Sequence, residues 1–288
     1  MKRIKLTKGK IIFIFAIFTW VIFAQSCMKF RISDSKAIKQ FAENGVMLHT
    51  ETVKVNGFDI HFAKTGNDTL PTLFFIHGSP GSWDAFSVYM KDKDLLAKFR
   101  MVSVDRPGYG YSQFGDSKNL IENSLLLSPL LTYIKNDKPI YIIGHSLGGP
   151  LALQMAAENK DVFSGLVLLA ASVDPAEEPK EKWRAVLYKT KLDMLLPGAI
   201  KPSNQELYFF KEDVKALPLQ FAKVNCSVYI IHGDKDKFVP VGNSYYAKKM
   251  FVNAKSVQLK ILKDAPHFIP WEPWYKYVKE VLLQLKPS

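Results

Sequence analysis

IYIIGHSLGG, residues 140–149, is the stretch of sequence that decides the fold. Its four leading apolar residues predict a buried β-strand, and residues 147–158 predict an α-helix whose Pro150 falls in the first turn, where a missing N–H costs little. Between them lies a serine flanked by Gly144 and Gly148. A serine on such a sharp strand-to-helix turn exposes its hydroxyl group, and glycines allow close backbone approaches that a Cβ atom would block. Ser146 is therefore the candidate nucleophile.

Three more loops that follow apolar runs carry related chemistry. HGSPG at 77–81 is a tight loop whose backbone N–H groups are candidates to face a developing oxyanion. GDKD at 233–236 supplies carboxylates, and PHF at 266–268 supplies a histidine at the end of the last apolar run. The chain order is therefore serine, aspartate, histidine, with a glycine-rich loop before the serine.

From about residue 50 to its end, the chain resembles an α/β-hydrolase with a helical cap. The motifs that carry the resemblance stand in the family's order, namely HGSPG (77–81), DRPGYGYS (105–112), GHSLG (144–148), GDKD (233–236) and PHF (266–268). The resemblance implies Ser146 as nucleophile, His267 as general base and acid, and Asp236 as the carboxylate that orients the histidine. It also implies an oxyanion hole made by the backbone N–H groups of Ser79 and Leu147.

The chemistry of such a site explains the residue types. A serine hydroxyl is a poor nucleophile near neutral pH, so an imidazole must take its proton during attack and return it to the leaving group. A buried carboxylate fixes the imidazole tautomer, and two N–H donors stabilise the oxyanion by about 3 kcal/mol each. This chemistry requires no metal and no organic cofactor. We therefore expect neither, and we expect a small-molecule substrate.

Some site positions have alternatives. Asp234 lies two residues from Asp236, and Asp174 follows an apolar run after which some α/β-hydrolases carry their acid. The family spacing of the GDKD loop favours Asp236. Trp83 and His145 adjoin the site as candidate substrate-binding residues; the alternatives are core packing for Trp83 and hydrogen bonds that shape the loops for His145.

The rest of the chain predicts an α/β-hydrolase fold with a mostly parallel eight-stranded sheet, helices on both faces and a small helical cap insertion. The core is expected at 51–171 and 226–288, and the cap at 172–225, where prolines break the alternation over a stretch too long for an ordinary loop. Residues 29–50 predict a tether and a lead-in helix. The helices of the core are expected near 83–97, 119–136, 147–158, 241–250 and 271–286.

Residues 1–28 predict a signal peptide or a membrane anchor. A basic start precedes an apolar run at 11–24, which has the length of a signal-peptide core and is short for a membrane span. Ser26-Cys27 then resembles a bacterial lipoprotein signal, in which Cys27 becomes the lipidated N-terminus. The alternative is an uncleaved anchor at 11–28. Both place the protein on a membrane of the bacterial cell envelope, facing the periplasm or the cell exterior.

The composition limits the number of domains and the kinds of partner that the chain can have. The 288 residues are 48% hydrophobic, enough for one sizeable core, and the formal net charge is +12, with five cations among the first ten residues. Two cysteines make no disulfide framework. The sequence contains no zinc-type cysteine and histidine spacing and no phosphate-binding glycine loop, so we predict no nucleic-acid partner. The oligomeric state stays open.

The function expected from these features is a carboxylesterase that acts on small or medium apolar esters through an acyl-enzyme. A serine at residue 146 argues against epoxide hydrolases and haloalkane dehalogenases, which use an aspartate there although residues 105–112 resemble theirs. Amidase or aminopeptidase, carbon–carbon bond hydrolase, thioesterase and perhydrolase remain alternatives of the same fold. A non-catalytic binding protein is the alternative from another class.

Overall fold

An eight-stranded sheet forms the centre of the computed structural model, which describes residues 7–179 and 181–285. In chain order the strands are β1 (His49–Val55), β2 (Phe58–Thr65), β3 (Thr72–Ile76), β4 (Arg100–Val104), β5 (Ile140–His145), β6 (Phe163–Leu169), β7 (Ser227–Gly233) and β8 (Ser256–Leu262). They lie in the order β1-β2-β4-β3-β5-β6-β7-β8, and β2 runs antiparallel to both of its neighbours while the other pairs are parallel. The predicted α/β-hydrolase sheet is confirmed.

Helices cover both faces of this sheet. In chain order, the helices of the described residues, including those of the cap region and the leader, are α1 (Lys8–Ser26), α2 (Asp34–Ala42), α3 (Ser87–Met90), α4 (Lys93–Leu96), α5 (Leu120–Tyr133), α6 (Gly148–Glu158), α7 (Lys182–Lys189), α8 (Ile200–Ala216), α9 (Pro218–Phe221), α10 (Gly242–Met250) and α11 (Tyr275–Leu283). Short 3₁₀ helices span Trp83–Phe86 and Leu192–Leu195. The single helix predicted near 83–97 is instead broken into short pieces, because the Asp92 carboxylate accepts hydrogen bonds from the N–H groups of Asp94 and Leu95 and starts a new helix there.

Alternate residues of the central strands face two hydrophobic cores, as the two-residue period of a strand requires. Ile142 and Leu166 belong to the core under α5 and α6. Tyr141 and Val167 belong to the opposite core, which also contains side chains of α2 and α11. Every residue of β3, β4 and β5 is buried, which explains why these strands are nearly continuous apolar runs.

The topology brings four loops to one edge of the sheet. The strand order reverses at β3, which has β4 on one side and β5 on the other, and ligands of open α/β sheets bind beyond the carboxyl ends of the strands at such a point. Ile76 pairs with Gly144, so the loops after β3 and β5 leave the sheet together. Gly233 pairs with Leu262, which likewise places the loops after β7 and β8 side by side.

The region predicted as a cap, 172–225, contains α7, α8 and α9. The end of α1 contacts this region, where the Gly198 N–H donates to the carbonyl oxygen of Ala24 at 2.8 Å and the Trp20 indole N–H donates to that of Leu195 at 3.0 Å. Most large apolar side chains of α1 are exposed. Among the helices of 7–179 and 181–285, none has the length and apolar character needed to cross a membrane. The basic start of the leader, residues 1–6, lies outside the described residues.

Candidate active site

Ser146 occupies the turn between β5 and α6 with a φ of +54°, in the left-handed region that residues other than glycine rarely adopt. The turn is closed by glycines. A Cβ atom at Gly144 would lie 2.2 Å from the carbonyl oxygen of Gly148, and one at Gly148 would lie 2.3 Å from that of Ile76. Gly78, from the loop after β3, approaches Ser146 so closely that its added Cβ would lie 3.1 Å from the serine Cβ. The backbone therefore holds the serine in a strained, half-exposed position beside the loop at 77–81.

His267 and Asp236 form a hydrogen-bonded pair. The His267 Nδ1–H donates to Asp236 Oδ2 at 2.7 Å, and both side chains are shielded from solvent. Because Nδ1 is engaged with the carboxylate, Nε2 is the ring nitrogen available to exchange a proton with Ser146. The structure thus brings together the histidine and the aspartate implied by the sequence.

Asp236 is held ionised by its neighbours. Burial alone would raise the pKa of this carboxyl group, but hydrogen bonds from His232, His267 and the Val239 N–H hold it well below its ordinary value. The two alternative acids have other partners. Asp234 accepts the Asp264 N–H at 2.7 Å, and Asp174 accepts the Ala176 N–H at 2.9 Å. Neither carboxylate is hydrogen-bonded to His267, whose Nδ1 is bound to Asp236.

The two N–H groups implied as an oxyanion hole flank the serine. Leu147 directly precedes α6, and the start of a helix carries unpaired N–H groups and partial positive charge. Ser79 follows Gly78, which touches Ser146. Its side-chain oxygen lies 2.7 Å from the Tyr109 hydroxyl and 3.0 Å from that of Ser203 in α8.

His145 and Trp83 are placed differently from each other. His145 lines the cavity next to Ser146 but is buried; its Nε2–H donates to the His267 carbonyl oxygen at 3.2 Å, and its ring lies edge-on to Trp271. Burial and the neighbouring His267 lower the pKa of His145 to about 3, so this ring is neutral at physiological pH. Trp83 is fully buried, packs against Phe41 and does not reach the cavity, which is the core-packing alternative.

Ser146 and His267 open into one cavity of about 870 Å³, the active-site cavity. Three phenylalanines line it and are also largely exposed, namely Phe30 (47%), Phe238 (66%) and Phe268 (50%), so they form its rim. Residues 30–33 and Lys36, from the segment predicted as a tether, form part of the wall. Sequence reasoning missed this role because nothing in the segment's pattern marks it as part of a cavity.

Glu178 and Arg184 bring charge to the cap side of the cavity. Burial raises the pKa of Glu178 to about 7 despite the nearby cations Lys211 and Arg184. The nearby Glu181 also raises the pKa of Glu178, since a second carboxylate disfavours ionisation. The carboxyl group of Glu178 therefore changes charge near neutral pH.

Comparison with known proteins identifies the family of this chain. A family model for the alpha/beta hydrolase fold matches residues 71–194. The uncharacterized hydrolase YugF of Bacillus subtilis is 30% identical over 256 residues, which cover 76% of this chain and 91% of that protein. The chain belongs to the α/β-hydrolase family and is a hydrolase.

Other relatives match over shorter stretches. Epoxide hydrolase 1 of Caenorhabditis elegans is 28% identical over 40% of this chain and 28% of that protein. Lysophosphatidylserine lipase ABHD12 of Danio rerio is 25% identical over 68% of this chain, which spans about half (53%) of that protein. The crystal structure of a bacterial membrane phospholipase A shares the fold with a TM-score of 0.63 at 19% identity, over 96% of this chain and 98% of that one.

Replacing Glu178 by Gln tests the titration of this carboxyl group. A folded-state pKa of about 7 lies above the ordinary value of 4.5, so the folded protein binds more protons than the unfolded chain between these values. Stability contributed by the protonated form is complete below about pH 4.5 and is lost as the pH rises through about 7. We expect Glu178→Gln to unfold at a higher temperature than the wild type at pH 8 and at the same temperature at about pH 4, by scanning calorimetry.

The exposed neighbour Glu177 supplies the matched control. Glu177→Gln should show no such pH-dependent difference. Equal unfolding temperatures of Glu178→Gln and the wild type at pH 8 would contradict the assignment.

Proposed function

We propose that this protein is a serine hydrolase that cleaves carboxylic esters through an acyl-enzyme on Ser146. One observation carries the proposal: a serine strained at a φ of +54° shares a cavity with a histidine whose Nδ1 is bound to a buried aspartate. The side chains needed for nucleophilic attack and proton transfer thus meet at one place. A binding protein would gain nothing from keeping such strain.

In the first half-reaction, Ser146 Oγ attacks the ester carbonyl carbon while His267 Nε2 takes the hydroxyl proton. The imidazolium is stabilised by the Asp236 carboxylate, which is ionised across the working pH range because its pKa is lowered. The N–H groups of Ser79 and Leu147 donate to the oxyanion of the tetrahedral intermediate. The intermediate collapses, the alcohol leaves with the proton from His267, and the acyl group stays on Ser146.

In the second half-reaction, water replaces the alcohol. His267 takes a proton from water as the oxygen attacks the acyl carbon, and the same N–H groups stabilise the second oxyanion. Collapse returns the proton to Ser146 Oγ and releases the carboxylic acid. The histidine thus acts as base and then acid in each half-reaction.

The size and the aromatic rim of the active-site cavity favour a substrate whose acyl group is apolar and larger than its alcohol group. Its volume of about 870 Å³ lies in the range that buries a drug-sized ligand, and its rim is aromatic. Small and medium apolar esters fit this space. A lysophosphatidylserine lipase among the relatives is consistent with ester chemistry. Epoxide hydrolase activity is disfavoured, because this chain has a serine at residue 146 where epoxide hydrolases use an aspartate.

We also propose that the protein is attached to a membrane of the bacterial cell envelope through lipid on Cys27. Phe30 at the cavity rim lies three positions after Cys27, a reach of about 10 Å of extended chain. Lipid at Cys27 would therefore hold the rim close to the bilayer. The aromatic side chains of the rim are of the kind that prefers the membrane interface.

Replacing Ser146 by Ala tests the nucleophile. Turnover of p-nitrophenyl esters should fall by at least about 10³-fold, since the residual rate rests on binding and the oxyanion donors alone. The thermal unfolding temperature should stay at or above that of the wild type because Ala removes no buried contact. A fluorophosphonate probe should label the wild type and not the variant.

The wild type should be assayed on esters of increasing chain length and on aminoacyl-anilides. Hydrolysis of anilides with no ester turnover would move the function to the amidase alternative. Failure of the wild type to react with the probe or any substrate would favour a binding protein.

Replacing Asp236 by Asn tests the acid. Loss of the carboxylate misorients His267 and should lower kcat by about 10⁴-fold with little change in KM. Asp174→Asn and Asp234→Asn are the matched controls, since neither carboxylate is hydrogen-bonded to His267. A collapse of kcat in Asp174→Asn, with near-normal Asp236→Asn, would assign the acid to the loop after β6.

Replacing Cys27 by Ala tests the membrane attachment. If Cys27 is the lipoprotein cysteine, the variant should remain unprocessed and lack palmitate label, and the wild type should begin at a lipidated Cys27 by mass spectrometry of the detergent extract. An uncleaved N-terminus without lipid would contradict this and favour the anchor. A chain lacking residues 1–28 should be soluble and still hydrolyse esters, since it keeps the wall at 30–36.

A further inference from the structure

We propose that a buried ion pair between core and cap, Arg106 with Glu206, positions the oxyanion-hole peptide. Arg106 lies in the loop after β4 and Glu206 lies in α8 of the cap. The inference rests on the proposed function, because it concerns the same oxyanion. The three groups involved are Arg106, Glu206 and the peptide that joins Gly78 to Ser79.

The carbonyl oxygen of Gly78 accepts two hydrogen bonds from the core. Arg106 Nη2 donates to it at 2.9 Å. His77 Nδ1 lies 2.7 Å from it, and this nitrogen carries the proton because His77 Nε2 accepts the backbone N–H of Arg106 at 3.0 Å. Both side chains are buried, so no water competes for this oxygen. Its direction is therefore fixed by the protein.

Fixing this carbonyl fixes the donor of the oxyanion hole. The Gly78–Ser79 peptide bond is trans and planar, so its C=O and the Ser79 N–H point in opposite directions from one rigid plane. Hydrogen bonds to the oxygen also polarise the peptide and strengthen its N–H as a donor. The cation of Arg106 thus acts on the oxyanion through the peptide, without touching the substrate.

Arg106 is itself held by the cap. Its Nη1 and Nη2 donate to the two carboxylate oxygens of Glu206, and the Tyr109 hydroxyl donates to Glu206 Oε2 at 2.7 Å. Burial alone would lower the pKa of Arg106, but the Glu206 carboxylate raises it, so the guanidinium stays charged. The planar fork can bind Glu206 and still direct Nη2 at Gly78, which a lysine ammonium at the end of a flexible chain cannot do with the same geometry.

A double variant separates positioning from stability. Glu206→Gln alone leaves a buried cation and is expected to destabilise the fold, whereas Arg106→Gln with Glu206→Gln removes both charges. We expect the double variant to regain most of the wild-type unfolding temperature. Its kcat should nevertheless stay about 10- to 100-fold below that of the wild type, part of the loss seen when an oxyanion donor is removed, with KM changed less than threefold.

A transition-state analogue gives a second readout. An alkyl boronic acid, which forms a tetrahedral anion on the serine, should lose affinity for the double variant by the same factor as kcat/KM. Glu212→Gln is the control on the same helix, because Glu212 is exposed and paired with Lys215, and it should leave both quantities unchanged.

A folded double variant with kcat and boronate affinity within threefold of the wild type would overturn the inference. That result would leave an active enzyme and reduce the ion pair to a structural contact. Failure of the proposed function is a different result, since the wild type would then not turn over esters or react with a fluorophosphonate at all.

Discussion

The site depends on the absence of side chains where three backbone segments meet. Gly144 faces the start of α6 and Gly148 faces the end of β3, each at a distance that no Cβ atom tolerates, and Gly78 faces Ser146 in a tighter approach than most Cβ atoms make. Because β3 and β5 are adjacent parallel strands, the same contacts that close this turn also set the loop at 77–81 beside the serine. The strand pairing and these close backbone contacts thus set Ser146 beside the loop at 77–81.

The buried carboxylate of Asp105, near this turn, is held by several hydrogen bonds. Asp105 accepts hydrogen bonds from His61 Nδ1, the Trp83 N–H and the Tyr111 N–H, and an added Cβ at Gly110 would collide with its carboxylate. A buried carboxylate with three donors is satisfied and makes the loop at 105–112 rigid. This rigidity in turn gives Arg106, the next residue, a fixed starting point toward Gly78 and the cap.

The sequence predicts the parts of this molecule that are set by local patterns. Apolar runs predict the eight-stranded, mostly parallel sheet that the structure shows, and glycines with serine, aspartate and histidine after such runs indicate the candidate site, because the topology of parallel strands brings the strand ends together. What it could not predict depends on long-range packing. Trp83 points into the core, and Glu206 pairs across to Arg106. The break at Asp92 in the helix predicted near 83–97 has a local cause instead, since a side-chain cap there competes with a continuous helix.

The segment between the leader and β1 has a role that its position in the chain conceals. The Phe30 carbonyl oxygen accepts a hydrogen bond from the Ser82 hydroxyl at 2.6 Å, and the Arg31 guanidinium stacks on Tyr111 at 4.1 Å from the ring centre. These contacts dock residues 30–33 as a wall of the active-site cavity, outside the alternating strands and helices that define the fold. The shape of the active-site cavity therefore depends partly on residues that lie outside the core of the fold. Chimeras that join this core to another protein's N-terminal region would therefore replace one wall of the active-site cavity, even though every strand of the sheet stayed the same.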